Sequence, residues 1–274
     1  MLKFAANVSI LWRERPLLER FALARAAGFD AVEFWWHPDW NADEVVKTIR
    51  ELGLTVALHN MHAGNMPGGE RGFANDPARQ AEWREAFQAA AELSQQVGNT
   101  RINCLAGRDL GTLSVDAQLA CVEENYRWAL PVAEQHGVSI YLEPLNTFDS
   151  PGYLWPTTES ALSFMRRINS PRLRLQYDTY HMGRMEGADV AGAVRAHIAQ
   201  IGHVQIADIP DRHEPGSGQI DWRGFFGALE DLKYDGYIGL EYVAATTAEE
   251  SLKWLPAGKR NACAAADLKL ATSD

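Results

Sequence analysis

Short apolar runs alternate with longer amphipathic stretches from one end of this chain to the other. The apolar runs fall at residues 3–8, 31–35, 55–60, 101–105, 139–143, 174–178, 202–206 and 237–242, each followed by turn residues or a polar loop. Their length and apolar content predict strands. Between them, residues 16–27, 42–52, 77–97, 115–136, 158–168, 188–201 and 222–232 carry apolar side chains at helical spacing, and a last such stretch lies near 248–255. Seven crossovers and a closing helix around eight strands predict an α/β fold, a (β/α)8 TIM barrel forming a single catalytic domain over residues 1–256. The remaining stretch, 257–274, AGKRNACAAADLKLATSD, is expected to be a loosely structured tail or a surface helix.

Punctuation agrees with the periodicity. Asp76-Pro77 reads as N-cap and first helical residue, and Asp221 as the cap before Trp222. Gly28, Gly53, Gly98 and Gly137 each follow an amphipathic run and open the next strand in one shared design, GFDAVEF, GLTVAL, GNTRIN and GVSIYL.

Composition narrows the partners. A net charge of −10 and the lack of any lysine- or arginine-rich tract argue against nucleic acid. No apolar run is long enough to span a bilayer, and the N-terminal stretch, interrupted by Asn7 and Ser9, reads as a strand rather than a secretory segment. Cys104, Cys121 and Cys263 are widely spaced and match no disulfide or zinc pattern, so reduced thiols in a cytoplasmic protein are expected. Nine tryptophans, three of them Trp35, Trp36 and Trp40, fit ordinary packing, a wall over a site, or a subunit contact in a homo-oligomer.

In a parallel barrel the chemistry sits where strands end, so the polar residue closing each apolar run is the one to question. SIYLEP ends on Glu143, LRLQYD on Asp178, HVQIAD carries Gln205 and IGLEYV carries Glu241. One acid at a strand end is ordinarily a cap or a loop hydrogen-bonder. Four oxygen donors on four successive strands instead suit a hard divalent cation, with Mg2+ the best fit and Mn2+ the alternative. His59 at the end of the third run, Arg71 in GGERG, His181 three residues after Asp178, and Arg212 in DRHEPG are candidate substrate-binding residues. An arginine can grip a carboxylate through two parallel hydrogen bonds. No phosphate-binding glycine motif follows a strand, so no nucleotide cofactor is implied.

The segments LHNMHAGNMPGGERGFANDP, INCLAG, EPLNTFDSPG, QYDTYHMGRMEG, GHVQIADIPDRHEPGSGQI and GLEY together resemble the hydroxypyruvate isomerase family, a branch of the xylose isomerase-like barrels, from about Phe4 to Trp254. The resemblance implies an aldose-ketose type isomerase of a small hydroxy-oxo acid, hydroxypyruvate to tartronate semialdehyde. It implies Glu143, Asp178, Gln205 and Glu241 as metal ligands, Glu143 and Glu241 as the catalytic pair, and His181 as a substrate contact like that of related sugar epimerases. Two departures stand out. HNMHAGNM replaces the family's HNLPAGDW, placing His62, Asn65 and Met66 in a loop expected to line the site, and Val243-Ala244 replaces the lysine-proline after Glu241-Tyr242. Competing readings are a 2-oxo-tetronate isomerase, a keto-sugar epimerase or dehydratase on the same scaffold, a sugar-acid sensor without turnover, and an abasic-site endonuclease, which would need several histidine ligands and a basic surface.

Overall fold

The computed structural model of the protein describes residues 1–270. Eight parallel strands close on themselves in chain order, each paired with its sequence neighbours and the last with the first. They are β1 (Lys3–Asn7), β2 (Ala31–Trp35), β3 (Thr55–Asn60), β4 (Arg101–Asn103), β5 (Ser139–Leu142), β6 (Leu173–Asp178), β7 (Ile201–Ile206) and β8 (Tyr237–Leu240). The outer layer is formed by α1 (Leu17–Ala26), α2 (Ala42–Glu51), α3 (Gln80–Val97), α4 (Val115–Gln135), α5 (Thr158–Ile168), α6 (Thr179–Glu186), α7 (Val190–His197), α8 (Trp222–Asp231) and the short α9 (Ala248–Ser251). The (β/α)8 barrel expected from the alternation of apolar runs is therefore the observed fold. Among the described residues no helix is long and apolar enough to cross a membrane.

Caps account for several helix starts. Asn41, Ser114, Thr157, Asp189 and Asp221 each accept a backbone N–H of the first turn of the helix that follows. Asp76 caps a 3-10 turn, Pro77–Arg79, that leads into α3. The periodicity did not predict α6. It starts immediately after β6, with the Asp178 side chain accepting from Tyr180 N at 2.7 Å. Eight residues containing a glycine give too little periodicity to separate such a helix from a loop. The stretch expected at 188–201 is correspondingly shorter, because β7 begins at Ile201.

Residues 257–270 also depart from the expected loose segment. They carry two 3-10 turns, Ala257–Lys259 and Ala265–Asp267. Cys263 exchanges two backbone hydrogen bonds with Leu2, and Phe4 N donates to Arg260 O at 2.9 Å, so this segment lies against the start of β1. Cys263, Leu268 and Leu270 are buried, which gives the segment an apolar anchor that its small-residue composition hid. Cys104, Cys121 and Cys263 are all buried free thiols.

Candidate active site

The phase of each strand decides which side chains enter the barrel. Ile140 and Leu142 on β5, Leu175 and Tyr177 on β6, Val204 and Ile206 on β7, and Ile238 and Leu240 on β8 join the hydrophobic core shared with the helices. The intervening positions face inward, and at the C-terminal ends these are Glu143, Asp178, Gln205 and Glu241. All four are buried.

Each of the three acids has one engaged oxygen and one orphan. Glu143 Oε2 accepts from Asn103 Nδ2 at 2.6 Å, Asp178 Oδ1 from Tyr180 N, and Glu241 Oε1 from Arg212 Nη2 at 2.9 Å. Glu143 Oε1, Asp178 Oδ2 and Glu241 Oε2 are buried without a hydrogen-bond partner among the described residues. Burial disfavours the charged form of all three, and repulsion from neighbouring carboxylates, Glu33 among them, adds to it. Burial and Asp178 push Glu143 up to about 8, and burial pushes Asp178 up to about 6 although Arg212 opposes the shift. Glu241 is raised well above its ordinary value by burial and Glu143. Buried carboxylate oxygens left without a partner are donors suited to a hard divalent cation, and those of Glu143 and Asp178 lie close enough together to share one.

Gln205 is tied into a polar interior beneath these acids. Its Nε2 donates to Glu33 Oε1 at 2.7 Å, and its Oε1 accepts from Gln176 Nε2. Glu33 also accepts from Asn7 Nδ2 at 3.0 Å and pairs with His203 Nε2 at 2.7 Å. Glu33, Asn103, Gln176 and His203 are not among the strand-end residues that the sequence singles out. Their signal was a polar residue inside an otherwise apolar strand.

His181 lies with the acids: one atom each from Glu143, Asp178 and His181 fall within 4.8 Å of one another. Its hydrogen bonding favours a donor over a ligand. Asn146 N, which can only donate, reaches His181 Nδ1 at 3.1 Å, so in the neutral ring the proton is on Nε2. Burial, with Arg212 and Arg71 nearby, keeps the ring well below its ordinary pKa and hence neutral. His181 Nε2 stands 3.8 Å from Asp178 Oδ2.

Two arginines face the same cavity, a small one of about 120 Å³ lined by Trp35, Asn60, Met66, Glu143, His181 and Glu241 among others. Arg212 uses Nη2 on Glu241 and lies 3.7 Å from Asp178. Despite its burial, Glu241, Asp178 and Glu143 hold its pKa above the ordinary value. Arg71 donates Nη1 to Met66 O and Glu70 O, which fixes its plane and leaves Nε and Nη2 without an acceptor among the described residues. Burial, Arg108 and Arg212 lower its pKa, an environment that favours an anion.

The structure does not bring His59 to the cavity. It stacks on Phe34 with ring centroids 5.6 Å apart and bonds Ser94 Oγ of α3 at 2.9 Å, so it faces the helices while Asn60 takes the inward position. Of the loop residues expected to line the site, only Met66 does so. His62 packs edge-on against Phe73, and Asn65 closes a turn by accepting from Gly68 N.

The loop after β7 holds Arg212 by means of one carboxylate. Asp208 accepts from the backbone N–H of Ile209, Gly216, Gly218 and Ile220 and from Trp222 Nε1, all within 3.1 Å. Arg212 itself adopts φ +60°, a left-handed conformation that such a framework has to maintain. Asp208→Ala strips a shared acceptor from buried donors and is expected to lower unfolding free energy by about 3 kcal/mol, measured by urea denaturation. Turnover should also fall at temperatures where the variant is folded, because Arg212 loses its support.

Comparison with known proteins agrees with this fold. The family profile described as Xylose isomerase-like TIM barrel matches residues 21–257. Hydroxypyruvate isomerase of Escherichia coli (strain K12) is 38% identical over 255 residues, covering 93% of this chain and 98% of that protein. The 2-oxo-tetronate isomerase of Cupriavidus necator is also 38% identical, over 259 residues, with 93% and 98% covered. Among solved structures, AP endonuclease, family 2, from Brucella melitensis superposes with a TM-score of 0.90 at 35% identity, covering 95% of this chain and 100% of that one. The chain belongs to the hydroxypyruvate isomerase family of xylose isomerase-like TIM barrels, a family of isomerases.

Proposed function

We propose that this protein isomerises hydroxypyruvate to tartronate semialdehyde by proton transfer through an enediolate, with Glu143 and Glu241 as the proton-handling pair. In the same reading Glu143, Asp178, Gln205 and Glu241 hold a divalent cation, Mg2+ or Mn2+. The observation that carries it is the meeting of two buried glutamates, each with an orphan oxygen, in one small cavity that also presents Arg71, Arg212 and the Nε2–H of His181.

Moving the carbonyl requires loss of a proton from the hydroxymethyl carbon, formation of a carbon–carbon double bond, and return of a proton to the former ketone carbon. The hydroxyl proton passes between the two oxygens. One glutamate takes the carbon-bound proton and the other delivers a proton to the adjacent carbon. A divalent cation held by Glu143, Asp178, Gln205 and Glu241 would supply positive charge to offset the negative charge that develops on the substrate oxygens. His181 Nε2–H is available as a neutral donor to one of those oxygens.

Arg71 is assigned to the substrate carboxylate, since its free edge faces the cavity in surroundings that favour an anion. Arg71→Lys retains charge but loses the fork, and should raise KM by about 10-fold or more with a smaller effect on kcat. A change confined to kcat would remove Arg71 from substrate binding. The cavity is below the usual range for small-molecule sites, about 300–1,000 Å³, which favours a three- or four-carbon acid over a hexose. The solved relative described as an AP endonuclease shares the fold, but the cluster here includes a single histidine, His181, among the described residues.

The test is proton NMR of metal-stripped protein with hydroxypyruvate in D2O, before and after addition of Mg2+ or Mn2+. Metal-dependent tartronate semialdehyde carrying solvent deuterium on carbon is the expected result. Turnover of a four-carbon 2-oxo acid but not of hydroxypyruvate would move the substrate assignment to that of the 2-oxo-tetronate isomerases. Lack of turnover with both acids, with metal bound, would overturn the isomerase reading.

A further inference from the structure

Beneath the four candidate ligands lies a carboxylate with no place in the proposed reaction. Glu33 is completely buried at the inward face of β2, and its three donors come from two other strands: Asn7 on β1, and His203 and Gln205 on β7. A fourth strand makes room for it. A Cβ added at Gly239 of β8 would lie 2.3 Å from both Glu33 carboxylate oxygens, so glycine at this position allows the carboxylate to occupy the barrel axis.

We infer that Glu33 is a positioning residue that sets the orientation of the Gln205 amide and so makes its oxygen, rather than its nitrogen, the atom available to a cation. This rests on the reading of Gln205 as a metal ligand. The two ends of an amide are nearly equal in size and opposite in hydrogen-bonding sense, so a glutamine placed in a polar interior can settle either way round. A carboxylate only accepts. Facing Glu33 Oε1, Gln205 must present its NH2, which puts Oε1 at the other end. There Gln176 Nε2 donates to it and one lone pair remains. His203 reinforces the arrangement. Its Nδ1 has no partner among the described residues, so the Nε2–H tautomer that donates to Glu33 leaves no buried donor unpaired.

A glutamine at position 33 offers a donor as well as an acceptor and removes the directional constraint. Glu33→Gln should weaken Mn2+ binding, read as free Mn2+ by electron paramagnetic resonance, by about 10- to 100-fold, the usual effect of losing a group that orients a ligand. In turnover assays kcat should fall, while KM for the acid stays within about twofold, because Glu33 does not line the substrate cavity. The exchange variant Glu33→Gln/Gln205→Glu keeps the charge of the pair and again leaves an oxygen for the cation. It should recover most of the Mn2+ affinity lost by the single variant. Wild-type Mn2+ affinity in Glu33→Gln, or an exchange variant no better than the single one, would overturn the positioning role. Gln205→Ala serves as the separate control. If it binds Mn2+ as tightly as wild type, the ligand assignment of Gln205 fails first and the role of Glu33 fails with it.

Discussion

Glu143→Gln and Glu241→Gln should each reduce turnover of the hydroxy-oxo acid by at least about 10³-fold while the barrel remains folded. Both substitutions are nearly isosteric, and each leaves an oxygen for the existing donor, Asn103 Nδ2 at position 143 and Arg212 Nη2 at position 241. Packing is therefore preserved and proton transfer is lost. Removing Glu143 from a group of crowded carboxylates also relieves repulsion that burial amplifies, so metal-free Glu143→Gln should melt no lower than the metal-free wild type, whereas Glu241→Gln also gives up the ion pair with Arg212 and is judged on its kinetics. The pairing of a large kinetic loss with an unchanged or higher melting temperature is the diagnostic result. It separates groups placed for chemistry from groups placed for stability, where activity and melting temperature decline together. Near-normal kcat in either variant would eliminate the two-glutamate scheme, since a single remaining base would then suffice.

The fold and the inward, buried placement of Glu143, Asp178, Gln205 and Glu241 were legible because both depend on strand phase. Period-two alternation against Leu142, Tyr177, Ile206 and Leu240 points Glu143, Asp178, Gln205 and Glu241 into the barrel regardless of loop detail. Features that depend on a particular phase shift or on contacts far apart in sequence were harder to read. His59 closes an apolar run as the others do. The strand register shifts between β2 and β3, however, and its ring meets Phe34 and Ser94 instead of the mouth. Glu33 sits mid-strand, and only the closed barrel reveals that His203 and Gln205, about 170 residues later, are its partners. The contact of residues 257–270 with β1 joins the two ends of the chain, a pairing that local composition does not encode. Helix α6 escaped because its cap, Asp178, was read solely as a ligand, whereas one oxygen caps the helix and the other faces the site.

The same carboxylates make the stability of the metal-free protein depend on pH in an unusual direction. Ordinary buried-pair carboxylates have lowered pKa values and stabilise a protein as pH rises. Here Glu143 is raised to about 8 and Glu241 well above its ordinary value. Unfolded, both would titrate near about 4.3. Between those limits the folded state binds more protons than the unfolded state, so unfolding free energy falls as pH rises. Below about pH 6.5 the buried neutral His59 and His181 act in the opposite sense, because their unfolded forms take up protons there. The clean window is therefore about pH 7 to 8, where each excess folded-state proton lowers stability by up to about 1.4 kcal/mol per pH unit, roughly 3 °C for a chain of this size. Differential scanning calorimetry of the chelated protein should show the melting temperature declining across this window, with a shallower slope in Glu143→Gln. Saturating Mn2+ competes with protons for the same oxygens, so it should reverse the trend and stabilise most at the alkaline end, by about 2.7 kcal/mol at a hundredfold excess over Kd. A chelated protein whose melting temperature climbs from pH 7 to 8, or one indifferent to Mn2+ throughout, would show that these acids are neither strained by their burial nor arranged to receive a cation.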